Sequence, residues 1–334
     1  MKTARINITK FFTQPSAINI AISVVVGGIL FNSQFIIHNS QLAESVSTMF
    51  MKHYVLWTLP GWASQVVGFV TMTGIMVWMM FLCNQLQIIP VRSSMPLTVG
   101  LVMAGAIGYI QPFDEGYIAT MFFILAIKQL IQMYHFETQV AAAYNITLLL
   151  GIATLFEPTY AWLSVLFVMG MIVFRVITRR VFWSILLGIT TLIAIVGSLF
   201  WLFDSLEILT NYLDKFIDVT LWHDTTLTKG DIIIGCFTSG LVLFTFVNHY
   251  FSPSNYKLNT RLNFTFINWG FWLSMIWVVV FGSEFAQLIA IPGLFAVMCL
   301  SLYFSTNQSK VANVVFVVWF LVYVGYRIMH NQWS

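Results

Sequence analysis

Apolar runs of about twenty residues recur along this chain, separated by short polar turns. A run of that length crosses a bilayer as a helix, because lipid offers no partner to backbone N–H and C=O groups. We place about eleven such spans, at approximately 17–37, 61–84, 96–111, 117–134, 140–156, 160–177, 181–203, 231–251, 264–282, 286–304 and 312–328. Of the 334 residues, 59% are hydrophobic and only 8% charged, against roughly 25% charged in soluble domains. The expected fold is therefore an all-α polytopic transmembrane helix bundle, one domain over residues 1–334 with the lipid bilayer as its main solvent.

Charge fixes the orientation. Turns with Arg92, with Arg175, Arg179 and Arg180, with Lys257 and Arg261, and with Lys310 alternate with turns that carry acid. Short basic turns stay in the cytoplasm, so the expected topology is N-terminus in, C-terminus out. On that topology eleven of the twelve Asp and Glu lie outside, Glu137 being the exception, and about ten of the fifteen Lys and Arg lie inside. Arg327 then falls outside and counts against the last span. The first run, Ile18–Ile37, follows Lys2, Arg5 and Lys10 and has no small-residue cleavage site, so it is expected to be a retained helix. The net charge of +3 reflects turn bias and excludes a nucleic-acid surface. Cys83, Cys236 and Cys299 lie in or beside apolar runs, fit neither a zinc nor a disulfide pattern, and are expected to be small core residues.

One outer segment has a helical period of its own. Glu207, Asn211, Asp214 and Asp218 form a polar stripe, and Leu206, Leu209, Leu213, Phe216 and Ile217 lie on the other side. Residues 204–222 are expected to form an amphipathic interfacial helix, either a solvated face or a lid or partner surface over an outward cavity.

Two turns concentrate chemistry. Gln111-Pro112-Phe113-Asp114-Glu115-Gly116-Tyr117 sets two carboxylates side by side at the membrane surface. Asp114 and Glu115 are candidate catalytic groups, as general base, and candidate ligands of a divalent cation. The same acids also suit the start of a helix. Phe156-Glu157-Pro158-Thr159-Tyr160 is the second turn, and it is expected at the same face. Glu157 and Tyr160 are candidate substrate-binding residues there, while an acid followed by Pro is also ordinary helix-start chemistry. Glu44, in the first outer loop, and Lys52, one of few outer cations with Lys215 and Lys229, complete the candidates. Lys128, Asn248 and His249 fall near inner helix ends and read as structural, Lys128 by extending its charge toward water.

Phe113-Asp114, the Gly151–Pro158 turn and Phe174-Arg175 together resemble an uncharacterised family of bacterial multi-pass inner-membrane proteins, over about residues 85–205. That resemblance implies topology and location in the bacterial inner membrane, but no reaction. The turn is also similar, more remotely, to one in the GT-C glycosyltransferases, whose pattern commonly reads Gly-x-Ala-x-x-Thr-Lys-Pro-Thr. Gly151, Ala153, Pro158 and Thr159 match, and Glu157 stands where a basic residue is usual. The likeness implies sugar transfer from a polyprenyl-phosphate lipid at the outer face, in glycan assembly. Those enzymes carry an acid in the first outer loop, where this chain offers only Glu44. The alternatives are a non-catalytic subunit bound to other membrane-protein subunits, and a small-solute or lipid transporter. Few ionisable residues fall at mid-membrane, which favours subunit over transporter.

Overall fold

In the computed structural model, residues 8–35, 61–107, 115–134, 139–202, 229–251, 258–280, 290–307 and 309–333 are described. Among them there are twelve α-helices and no strand. They are α1 (Ile8–Thr13), α2 (Ala17–Phe35), α3 (Gly61–Gln85), α4 (Met95–Ile107), α5 (Glu115–Gln132) and α6 (Gln139–Phe156). A 3-10 turn (Pro158–Ala161) leads to α7 (Ser164–Val173), then α8 (Arg179–Leu202), α9 (Lys229–Phe251), α10 (Leu258–Val280), α11 (Ala290–Thr306) and α12 (Lys310–Trp333). Six of them, α3, α6, α8, α9, α10 and α12, are long and apolar enough to cross a membrane. The remaining apolar helices of 10–17 residues include α4, α7 and α11.

Pairwise contacts show how the helices run. Ser23 hydrogen-bonds Thr98 at 2.7 Å, Gly27 lies against Leu101, and Gly105 lies against Leu30. The register advances together, so α2 and α4 are parallel, and α3 must return between them. On α6 and α8, Ser184 Oγ donates to the Val140 carbonyl at 2.6 Å, Gly188 meets Thr147 and Gly151 meets Leu192, again a parallel pair. Trp162 stacks near Trp277 and Phe174 near Phe266, so α7 and α10 are antiparallel. Up-and-down order is the outcome expected of apolar runs joined by short turns.

This arrangement gives the bundle two chemically different ends. One gathers Lys10, Arg92, Arg175, Arg179, Arg180, Arg261 and Lys310 at or near helix termini. Helix starts at this basic end are capped by hydroxyl side chains. Ser16 accepts from the Asn19 N–H at 3.2 Å, Thr178 from Val181 at 3.3 Å and Ser309 from Ala312 at 3.2 Å. Each satisfies an N–H that has no partner within its helix. Two helices stop here with a non-glycine residue in the left-handed region, Gln87 after α3 (φ 51°) and Arg175 after α7 (φ 55°). In both, the following N–H reaches back five residues, Ile88 to Cys83 at 3.1 Å and Val176 to Met171 at 3.1 Å, which closes the helix.

The short helix α1 also lies at the basic end and was not expected from the apolar pattern. Thr9 donates from its N–H (3.1 Å) and its hydroxyl (2.7 Å) to the Asn313 side chain on α12. Ser94 Oγ donates to the Phe12 carbonyl at 2.7 Å. Asn19 Nδ2 donates to the carbonyls of Phe11 and Gln14. Residues 9–14 thus strap the starts of α2, α4 and α12 together.

The core sits around the two short helices α4 and α11. Nearly every side chain from Ile291 to Ser305 is buried, and so are those of α4 from Met95 to Ala106 with few exceptions. These helices are enclosed by protein, not lipid. At the other extreme, α8 packs chiefly on α6 and exposes Trp183, Leu187, Ile193, Trp201 and Leu202. Its apolar outer face is the one expected against acyl chains.

Two expectations change here. The sixth run, expected as one span at 160–177, is a 3-10 turn followed by a ten-residue helix. Pro158 opens that turn and lacks the N–H a longer α-helix would use. Cys83 and Cys299 are buried core residues as expected, but Cys236 is exposed. Arg327 is 5% exposed, enclosed by the bundle near the far end of α12. Its charge is therefore housed in protein and not exposed to lipid. The amphipathic segment 204–222 lies outside the described residues.

Candidate functional site

The end opposite the basic one carries the acid-bearing turns. α5 begins at Glu115, and the 3-10 turn begins just after Glu157. A side-chain hydrogen bond ties these two elements. Tyr160 and Thr120 hydroxyls lie 2.8 Å apart. Thr120 donates to the Gly116 carbonyl at 2.7 Å, which leaves Tyr160 as the donor to Thr120. Phe123 sets its ring edge-on to Tyr160 at 5.6 Å, and Phe122 stacks on Phe156 at 6.1 Å. The two acid-bearing turns, some forty residues apart in sequence, therefore share one end of the bundle.

Glu157 is 2% exposed and Tyr160 is 1% exposed. Glu157 Oε1 accepts from the Thr159 hydroxyl at 3.1 Å. The Glu157 N–H donates to Ala153 at 2.9 Å, and its carbonyl accepts from Tyr160 at 3.1 Å. A carboxylate this deep is held by its neighbours, and it shapes the turn from within. The same is true of the other residues in the turn: Gly151 lets Leu192 of α8 approach, and Ala153 is fully buried. Tyr160→Phe should leave Thr120 bonded to Gly116 and cost about 1 kcal/mol of stability, the usual net worth of a neutral hydrogen bond. Thermal unfolding in detergent measures this; an unchanged midpoint would show that the bond does not hold the two turns.

Of the expected site residues, Glu157 and Tyr160 are placed together in this way. Glu115 is the first residue of α5, at the same end. Asp114, Glu44 and Lys52 lie outside the described residues. Among the described residues, no three His, Cys, Asp or Glu come together as a metal site. Lys128 is half-buried in the last third of α5, toward the basic end, in accord with a side chain reaching for that surface.

A second polar feature was not recognised in the sequence. At the basic end, α9, α10 and α11 leave a small hollow of about 10 Å³, room for about one water, lined by Thr245, Asn248, His249, Phe264, Tyr303 and Asn307, among others. The His249 ring lies on Phe264 with centroids 4.1 Å apart. Asn248 and His249 were read as a structural pair, and adjacency in sequence gave no hint of partners from α10 and α11.

No protein-family model, no curated protein and no solved structure matches this chain.

Proposed function

We propose that this is an integral inner-membrane protein that crosses the bilayer eleven times, by α2 to α12, with the basic end in the cytoplasm and the acid end outside. The working face is then the acid end. There Asp114 and Glu115 act on a sugar carried by a polyprenyl-phosphate lipid, in the manner of a GT-C glycosyltransferase. One of them is the base that takes the acceptor's proton, or the pair holds a divalent cation against the lipid phosphate. Glu157 is a positioning residue, too deeply buried to meet substrate. The observation that carries this reading is the Tyr160–Thr120 bond, because it ties the turn resembling the GT-C element to the helix that begins at the acid pair.

Asp114→Asn with Glu115→Gln tests it. Transfer of labelled sugar from a polyprenyl-phosphate donor, in membranes containing the protein, should fall by about 10²-fold or more if a general base is lost. Equal transfer by the wild type, the variant and membranes without the protein refutes the enzyme reading.

The second reading is a non-catalytic subunit of a membrane complex. It draws support from α8, which packs chiefly on α6 and leaves a broad apolar face for another protein. Purification in mild detergent separates the two. A stoichiometric protein partner, lost on Trp183→Ala with Leu187→Ala, supports the subunit; co-purified polyprenyl-phosphate lipid, lost on substitution of the acid pair, supports the enzyme.

A further inference from the structure

We propose that the short helix α1 and the first turn of α12 form a docking site for the headgroup of an anionic phospholipid at the basic end, held by Lys10 and Lys310. The site rests on the membrane setting alone and is independent of the chemistry assigned to the acid end.

The depth of the site follows from its attachments. Lys310 is the first residue of α12, one of the helices long and apolar enough to cross a membrane. The first residue of a span sits where acyl chains give way to headgroups. α1 is tied to that level by Thr9, whose N–H and hydroxyl both donate to the Asn313 side chain, one turn past Lys310. At its other end only Gln14, Pro15 and Ser16 separate α1 from α2. The helix is therefore held at headgroup depth by both neighbours.

α1 turns one face to the protein and another away from it. Thr9 and Thr13 are buried, and Phe12 packs near Phe316 of α12 with ring centroids 5.9 Å apart. Ile8 and Phe11 are three residues apart and so neighbours on the helix surface. Both are exposed, Phe11 by 47%, and Ile18 in the first turn of α2 is exposed by 67%. Apolar side chains on the outer face of a surface helix lie among the upper acyl segments, with the charged residues beside them at the headgroups. This apolar face is why the site suits a lipid and not a free phosphate, which would leave Ile8 and Phe11 uncovered.

Charge selects the class of lipid. Lys10 and Lys310 are both exposed, and the Thr9–Asn313 bonds bring them to one junction. Each ammonium group is a donor with no acceptor of its own, suited to phosphate oxygens. No acid competes for them among the described residues, where Glu115, Glu157 and Asp231 all lie at the other end of the bundle. Lysines at this depth attract anionic headgroups over neutral ones. Because residues 9–14 strap the starts of α2, α4 and α12 together, a lipid docked here closes the strap from its membrane side.

The test uses the full chain, purified in mild detergent and examined by native mass spectrometry with phosphatidylglycerol and phosphatidylcholine as probes. Wild-type protein should retain phosphatidylglycerol over phosphatidylcholine. Lys10→Gln and Lys310→Gln, both exposed changes, should each weaken that retention about five-fold, the effect of one basic residue near a charged surface. Arg179→Gln with Arg180→Gln, at the start of α8, removes the same charge elsewhere on the basic end and should weaken it far less than the lysine pair. Hydrogen exchange reads the strap directly. Phosphatidylglycerol should slow exchange of the α1 amides in the wild type and not in the double lysine variant. Equal retention of the two lipids, an equal loss from the arginine and lysine pairs, or α1 exchange that ignores phosphatidylglycerol overturns the proposal.

Discussion

Trp319→Ala should be among the most damaging single changes in this protein. Trp319 is fully buried on α12. Its ring packs against Phe316 at 5.5 Å, Phe304 at 6.1 Å and Tyr323 at 5.4 Å. This cluster joins α12 to α11, the helix at the centre of the bundle. One turn further along, Tyr323 and Thr238 hydroxyls meet at 2.6 Å and join α12 to α9. Deleting the indole leaves a void that neither lipid nor neighbours can fill without shifting a helix. In soluble cores such a deletion costs about 3–5 kcal/mol. In a membrane the water-transfer part shrinks, but lost dispersion contacts remain. Thermal unfolding in detergent should show a large drop in midpoint. Trp201→Ala, at a residue 73% exposed on α8, should change it little. Equal effects of the two would mean that α11 and α12 do not pack as described.

Gly170→Leu should be worse still, because Gly170 stands where three helices meet. A Cβ built on it would collide with Leu130 of α5 and lie 2.8 Å from the Phe266 ring of α10. Phe266 in turn packs on Phe295 of α11 at 6.2 Å. The ring has nowhere to go, so a side chain at 170 must push α7 off its neighbours. Even Gly170→Ala should cost about 1–3 kcal/mol, the usual penalty of overpacking. Leu should prevent accumulation of folded protein in the membrane. Gly240, on α9, has nothing within 4 Å of a built Cβ. Gly240→Ala should be neutral or slightly stabilising, since Ala is the better helix former. Membrane-fraction yield and thermal midpoint of the three variants check the contrast. Tolerance of Leu at 170 would contradict the junction of α5, α7 and α10.

The helices were legible because lipid leaves the backbone few options. Ten of the expected runs start and stop within a few residues of a described helix, although α10 begins six residues earlier than expected, at Leu258. The depth of each helix in the bundle was not legible. α4, α11 and α8 all read as apolar runs, yet the first two are enclosed by protein and the third faces outward. Lipid and protein interiors are equally apolar, so composition cannot tell one from the other. The burial of Arg327 was not legible for the same reason, since sequence shows a charge but not the protein around it. α1 escaped because its six residues are too few to signal a period. It is held by Asn313, three hundred residues away, and no local pattern encodes that bond.

The candidate site was legible in part. Sequence places acids at two turns on one face, and the Tyr160–Thr120 bond joins the elements that bear them. Glu157, a candidate substrate-binding residue in the sequence, is 2% exposed, a depth that a turn read as a surface feature does not signal. The basic-end hollow went unseen because its lining is spread from Thr245 to Asn307 over three helices.

The most direct test of the account is the side of the membrane on which the C-terminus emerges. A reporter enzyme active only outside the cytoplasm, fused after Ser334, reads this in intact cells. Eleven crossings from a cytoplasmic N-terminus predict an active reporter, with the acid-bearing turns outside. An inactive reporter on a stably inserted protein means an even number of crossings. It would contradict the assignment of α2 to α12 as spans, and with it the proposed outer working face.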